Sequence, residues 1–106
     1  NEWAYITQQK GNKFFYTQVL TGDSADNIKG IYRVGPVTAG KILEGCASVQ
    51  EMYTACVRAY ELHWYSTNVD YEDTFPVEDW ATERVLENAR LLWLRRYEGE
   101  LWEPPK

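Results

Sequence analysis

The chain has 106 residues, 44% of them hydrophobic, with five tryptophans and a formal net charge of −5. A length of this order makes one domain, residues 1–106, and the apolar fraction excludes a disordered chain. The acidic total has the wrong sign for a protein whose whole surface engages nucleic acid, but residues 1–45 hold five basic against four acidic residues and residues 46–106 six against twelve. Any phosphate contact is therefore expected in the first part, the competing account being ordinary scatter of surface charge.

In chain order, residues 13–20 place Phe15, Tyr16, Val19 and Leu20 on one helical face, which Thr21-Gly22 terminates. A short helix is expected over residues 23–28. Pro36 suits the first turn of a further helix, because its missing N–H is an orphan there in any case. Ala39, Ile42 and Leu43 form that helix's apolar face, and Gly45 ends it.

Ser48-Val49-Gln50-Glu51 has the spacing of a capping box, in which Ser48 accepts from the Glu51 amide and the glutamate reaches back to the Ser48 amide. A helix over 49–62 follows, with Met52, Tyr53, Cys56 and Tyr60 available for burial. Residues 66–76 read as a surface loop. Asp79 is positioned to cap a last helix over 80–97, striped by Val85, Leu86, Ala89, Leu92, Trp93 and Tyr97, with Leu91 and Leu94 widening the stripe. Gly99 stops it, and residues 101–105 form an extended tail whose Trp102 packs back on the core. The expected fold is all-α, a compact bundle of about five helices.

Cys46 and Cys56 lie ten positions apart with only His63 as a further candidate ligand, so neither zinc nor redox spacing is present, and both read as buried thiols of a reducing compartment. No apolar run approaches a membrane span and no leader opens the chain, which suggests a soluble protein of the cytoplasm, or of the host cytoplasm if the source is viral. The start in a polar segment without methionine reads as a piece of something longer.

Two features carry chemistry. Asp23 and Asp26 stand three apart, close enough to converge on one cation or its water shell, although magnesium needs more oxygen ligands than two carboxylates supply. Asp23 can equally act only as a helix cap, and Asn27 as a local hydrogen-bonding residue. The second feature resembles a helix-hairpin-helix: the helix opened by Pro36 directs free amides and the positive end of its dipole toward a phosphate. Gly30 and Gly35 would let DNA approach the backbone, while Thr38 and Lys41 add a hydroxyl and a charge. Such contacts follow the backbone and are salt-sensitive rather than sequence-specific. The plain alternative makes Gly35-Pro36 a helix start and nothing more.

The run from Leu20 to Ile31, Leu-Thr-Gly-Asp-Ser-Ala-Asp-Asn-Ile-Lys-Gly-Ile, followed by Val34-Gly35-Pro36-Val37-Thr38-Ala39, resembles the C-terminal domain of the 5′→3′ exonuclease and flap endonuclease family, the bacteriophage exonucleases especially. Residues 89–96 and 101–105 resemble the end of the phage enzymes. The resemblance implies two-metal hydrolysis of DNA phosphodiesters with Mg2+ or Mn2+, with Asp23 and Asp26 helping to hold the second metal. It implies a duplex-gripping hairpin at Lys29, Gly30, Arg33, Val34, Gly35, Val37, Thr38 and Lys41, and a K+ held by the carbonyls of Ile31 and Val34.

It also implies a monomer whose partners are DNA and an N-terminal catalytic domain that this chain does not contain, so that the chain alone is not expected to cleave. Where the family usually has Pro-Gly, this chain has Tyr32-Arg33, which either replaces close backbone approach by a direct phosphate contact or weakens the grip. Two other classes compete with the nuclease reading: a non-catalytic helix-hairpin-helix module whose aspartates only cap, and a helical protein-interaction domain using its tryptophans.

Overall fold

The computed structural model describes residues 2–68, 75–96 and 101–105. Four α-helices build the bundle: α1 (Glu2–Thr21), α2 (Pro36–Leu43), α3 (Val49–Thr67) and α4 (Val77–Arg96). Between α1 and α2 lies a two-stranded antiparallel ribbon, β1 (Gly22–Asp23) and β2 (Ile28–Lys29), with Gly22 opposite Lys29 and Asp23 opposite Ile28. The expectation of about five helices is corrected to four among the described residues. The segment expected as a short helix over 23–28 is this ribbon, its tip a single 3₁₀ turn at Ser24–Asp26.

Local backbone requirements explain the ribbon. Gly22 has φ +78° and Asn27 φ +58°, two left-handed residues that bracket the turn. Glycine adopts that region freely, and asparagine more readily than most other residues. The Asn27 amide donates to the Ser24 carbonyl at 3.2 Å, closing the turn where a helix would have continued.

α1 begins at Glu2, well before the expected start at 13. Its second half buries Phe15, Tyr16, Val19 and Leu20, the periodic positions that make it legible. Its first half is largely exposed, Trp3 at 75%, and so carries no apolar period. Continuation of an already nucleated helix sustains it, since propagation adds a hydrogen bond per residue without a new nucleus. The Gln9 side-chain amide, donating to the Ala47 carbonyl at 2.8 Å, ties this half to the start of α3.

The capping box at α3 is present in a shifted form. Ser48 Oγ accepts from the Glu51 amide at 3.2 Å, but the Glu51 carboxylate accepts from the Ala47 amide at 3.0 Å, one residue earlier than expected. α3 runs to Thr67 rather than 62, the hydroxyls of Ser66 and Thr67 donating back to the His63 carbonyl and the Asn68 amide group to that of Trp64. The rest of the expected loop falls largely on residues 69–74, outside the described residues.

α4 starts at Val77, so Asp79 lies in its first turn instead of capping it. Ala81, Val85, Ala89 and Leu92 form the buried stripe. Leu91 and Leu94 do not widen it; they are 43% and 46% exposed. Tyr97 and Gly99 lie outside the described residues. The tail packs as expected: Trp102 is buried, its ring 5.9 Å from Phe15 and 6.1 Å from Tyr53, and Arg90 of α4 donates to its carbonyl at 3.1 Å.

Burial sets an alkaline limit on the core. It pushes the Tyr60 hydroxyl up to about 12, and raises Tyr16 and the Cys56 thiol far above their ordinary values. Cys56 is buried as expected, and Cys46 is half-buried. Each folded value lies above the unfolded one, so each group adds stability that is complete below its unfolded pKa and is lost as pH rises through the folded value. The loss should begin near the cysteine range, at roughly pH 9, and steepen above the tyrosine range, Tyr60 alone contributing about 3 kcal/mol by pH 12. Urea midpoints at pH 8, 10 and 11 check this; a midpoint unchanged to pH 11 contradicts it.

Candidate nucleic-acid interface

The candidate residues lie on the connection from Gly22 to Gly35 and on α2. Asp23 is half-buried and its Oδ1 accepts from the Ala25 amide at 3.0 Å, the N-cap of the 3₁₀ turn. Asp26 ends that turn and is exposed. Among the described residues no group of three or more histidine, cysteine, aspartate or glutamate side chains forms a metal cage. Carboxylate oxygens are the hard ligands that magnesium prefers, and two carboxylates are fewer than such a site needs.

The connection is pinned to the bundle at both of its crossings. The Ile31 amide donates to the Leu20 carbonyl at 2.8 Å, and the Asn88 side chain of α4 donates to the Lys29 carbonyl at 2.7 Å. Gly30 is held against α1: a Cβ there would lie 2.3 Å from the Leu20 carbonyl oxygen and 2.5 Å from the Gly22 nitrogen. Its missing side chain is thus required by the chain itself, whatever else approaches it. Gly35 has open space around it.

A four-residue turn follows, Ile31 to Val34, closed by the Val34 amide donating to the Ile31 carbonyl at 3.1 Å. That carbonyl keeps a second lone pair. Ile31 is buried and Val34 packs against the core, so both can meet DNA only through backbone atoms. Arg33 has φ +67°, and its guanidinium carbon lies 5.3 Å from the centre of the Tyr32 ring. A negative φ followed by a positive one marks a type II turn, whose third position favours glycine.

An arginine there carries about 1 to 2 kcal/mol of steric cost that glycine avoids. Glycine's greater freedom in the unfolded chain gives back roughly half of this. Arg33→Gly should therefore raise stability by about 0.5 to 1 kcal/mol, read as a higher urea midpoint at unchanged slope. A lower midpoint would show that the contact with Tyr32 outweighs the backbone strain.

α2 opens at Gly35, whose carbonyl accepts from the Ala39 amide at 2.9 Å. With Pro36 at its first position, the amides without an intrahelical acceptor are those of Val37 and Thr38. Both residues are exposed, Val37 at 75%, and the side chains of Lys29, Arg33 and Lys41 are exposed as well. The connection thus carries two cations, Lys29 and Arg33, and leads into a helix N-terminus, while Lys41 stands in the last turn of α2.

One positioning residue escapes motif reading. Asn88, 2% exposed, donates both to the Lys29 carbonyl and to the Tyr60 hydroxyl, and Tyr60 in turn donates to the Val19 carbonyl at 2.7 Å. The available signal is a lone polar residue within the apolar stripe of α4. Beside the candidate residues, Tyr32 is 73% exposed. Comparison with protein-family models, with curated proteins and with solved structures yields no match to this chain. Among the described residues no helix is long and apolar enough to cross a membrane.

Proposed function

We propose that the chain is the DNA-gripping, second-metal domain of a divalent-metal-dependent 5′→3′ exonuclease or flap endonuclease, acting with an N-terminal catalytic domain. The observation that carries this reading is Arg33. It occupies the position where the family's hairpin has glycine, and it adopts the left-handed conformation that glycine favours. The backbone at Arg33 is thus one that glycine would adopt without strain, and arginine there adds a cation.

On this reading the connection and α2 form a helix-hairpin-helix. The Val37 and Thr38 amides and the dipole of α2 receive one phosphate, and Lys29, Arg33 and Lys41 neutralise its neighbours. On the same reading the Ile31 and Val34 carbonyls would hold a potassium ion. Asp23 and Asp26 would hold part of a Mg2+ or Mn2+ site completed by the catalytic domain, where the metal activates water and stabilises the leaving oxygen.

The 106-residue chain should bind duplex DNA without sequence preference, log affinity falling with log salt at a slope of about −3 for three phosphate-paired cations. Lys41→Ala should weaken binding uniformly across sequences and reduce that slope by about 1. Fluorescence anisotropy over a salt series measures both. Absent or salt-independent binding refutes the reading.

One observation favours a second reading, a non-catalytic module. Asp23 is already engaged as the cap of its turn. The double change Asp23→Asn and Asp26→Asn separates the two, since asparagine caps as well as aspartate. In a protein that includes the catalytic domain, lost cleavage with retained DNA binding supports the nuclease, and retained cleavage supports the module.

A further inference from the structure

Tyr32 stands between two grooves. One, of about 450 Å³, lies between the Ile31–Val34 turn and α3 and reaches Arg58 and His63. The other, also about 450 Å³, lies over the ribbon and reaches Asn27 and Lys29. Acidic residues outnumber basic ones by 16 to 11 in this chain, yet among the described residues no carboxylate lines either groove. Each has a permanent cation instead, and Arg33 lies against the Tyr32 ring. The ring is mostly exposed, and no aromatic neighbour covers its other face among the described residues.

We propose that Tyr32 is a stacking post for an unpaired base of single-stranded DNA, with Arg33, Lys29 and Arg58 taking the phosphates on either side. This rests on the DNA-binding reading above and extends it to a contact that needs an aromatic ring where the resembled family has proline. A single strand has what the site offers to match: a flat apolar face every nucleotide and a negative charge between faces. A duplex keeps its bases stacked inside and cannot use the ring. An acidic peptide would use the cations but gains nothing from an open ring face between them.

The test uses the 106-residue chain, an oligo-thymidine strand with one 5-iodouracil, and a blunt duplex of equal length. Tyr32→Ala should weaken single-strand binding roughly tenfold, the loss of one stacked base, and leave duplex binding unchanged, while Tyr32→Phe restores it. Photocrosslinking of the iodouracil should map to Tyr32. Because Tyr32 is exposed, Tyr32→Ala should fold, and an unchanged urea midpoint verifies that.

Equal single-strand affinity of wild type and Tyr32→Ala, or a crosslink confined to other residues, overturns the stacking post while duplex binding stands. Displacement of the single strand by a polyglutamate peptide that itself loses affinity in Tyr32→Ala overturns it in favour of an acidic peptide. Binding to neither DNA overturns both this inference and the DNA-binding reading.

Discussion

Gly30→Ala should cost more than about 4 kcal/mol, a size confined to a few structural causes and a large share of a small domain's stability. The added Cβ would sit 2.3 Å from the Leu20 carbonyl oxygen, 2.4 Å from the Thr21 carbonyl carbon and 2.5 Å from the Gly22 nitrogen. All three are backbone atoms, so no side-chain rotation relieves the clash. The opposed Gly22 is constrained in the same way, a Cβ there lying 2.4 Å from the Gly30 nitrogen, and its φ of +78° adds strain.

Two other glycines give the contrast. At Gly11 in α1 and Gly40 in α2, nothing lies within 4 Å of the position a Cβ would take. Replacing either by alanine should stabilise by up to about 1 kcal/mol, the helix-propensity difference. Urea unfolding of the three variants checks the ordering, and a Gly30→Ala protein within about 1 kcal/mol of wild type would mean that the ribbon is not packed on α1 as described. If the DNA-binding reading holds, Gly30→Ala also loses duplex affinity, because the turn that carries Arg33 and leads into α2 is displaced with it.

What can be read from sequence follows from which interactions are local. Pro36, the Ser48 cap and the 13–20 and 85–92 stripes are legible because a helix end or a 3.6-residue period is written within a few residues. The first half of α1 is not, since its exposed face leaves no period to detect. The ribbon reads as a helix in sequence because Asp-Ser-Ala-Asp suits either a helix start or a turn. The outcome is decided by Gly22 and Asn27 in left-handed conformations and by pairing of Gly22–Asp23 with Ile28–Lys29. Leu91 and Leu94 read as core-facing because apolar side chains in a helix are usually buried on one side, yet this helix exposes them.

The candidate site divides in the same way. Asp23, Asp26 and the basic residues can be read from type and spacing. The atoms that hold their backbone in place cannot, since Asn88 lies 59 positions from Lys29, whose carbonyl it binds. Only the three-dimensional fold joins them. The sequence departure at Arg33 likewise becomes interpretable only through its φ value.

Asn88→Ala should be the second most damaging of these changes, at about 2 to 3 kcal/mol. The Asn88 amide group donates at 2.7 Å to the Lys29 carbonyl and at 2.9 Å to the Tyr60 hydroxyl, and the Tyr60 hydroxyl donates at 2.7 Å to the Val19 carbonyl. One short chain of hydrogen bonds therefore joins α4, α3, α1 and β2. Truncation removes two of its links. The Lys29 carbonyl is partly accessible and regains water, which moderates the cost; the Tyr60 hydroxyl is buried and does not.

Tyr60→Phe breaks the chain at its centre and should cost about 1 to 3 kcal/mol by leaving the buried Asn88 amide and Val19 carbonyl without this partner. Because the two residues share a bond, the double variant should lose about 1 kcal/mol less than the sum of the single losses. The same truncation should free the connection locally: amide exchange at Ile28 and Ile31 should accelerate by more than exchange in α3, since the tether at Lys29 acts on the ribbon alone. Additive losses in the double-mutant cycle would contradict a shared network. Uniform acceleration of exchange would show that Asn88 supports the bundle as a whole and does not specifically position the connection.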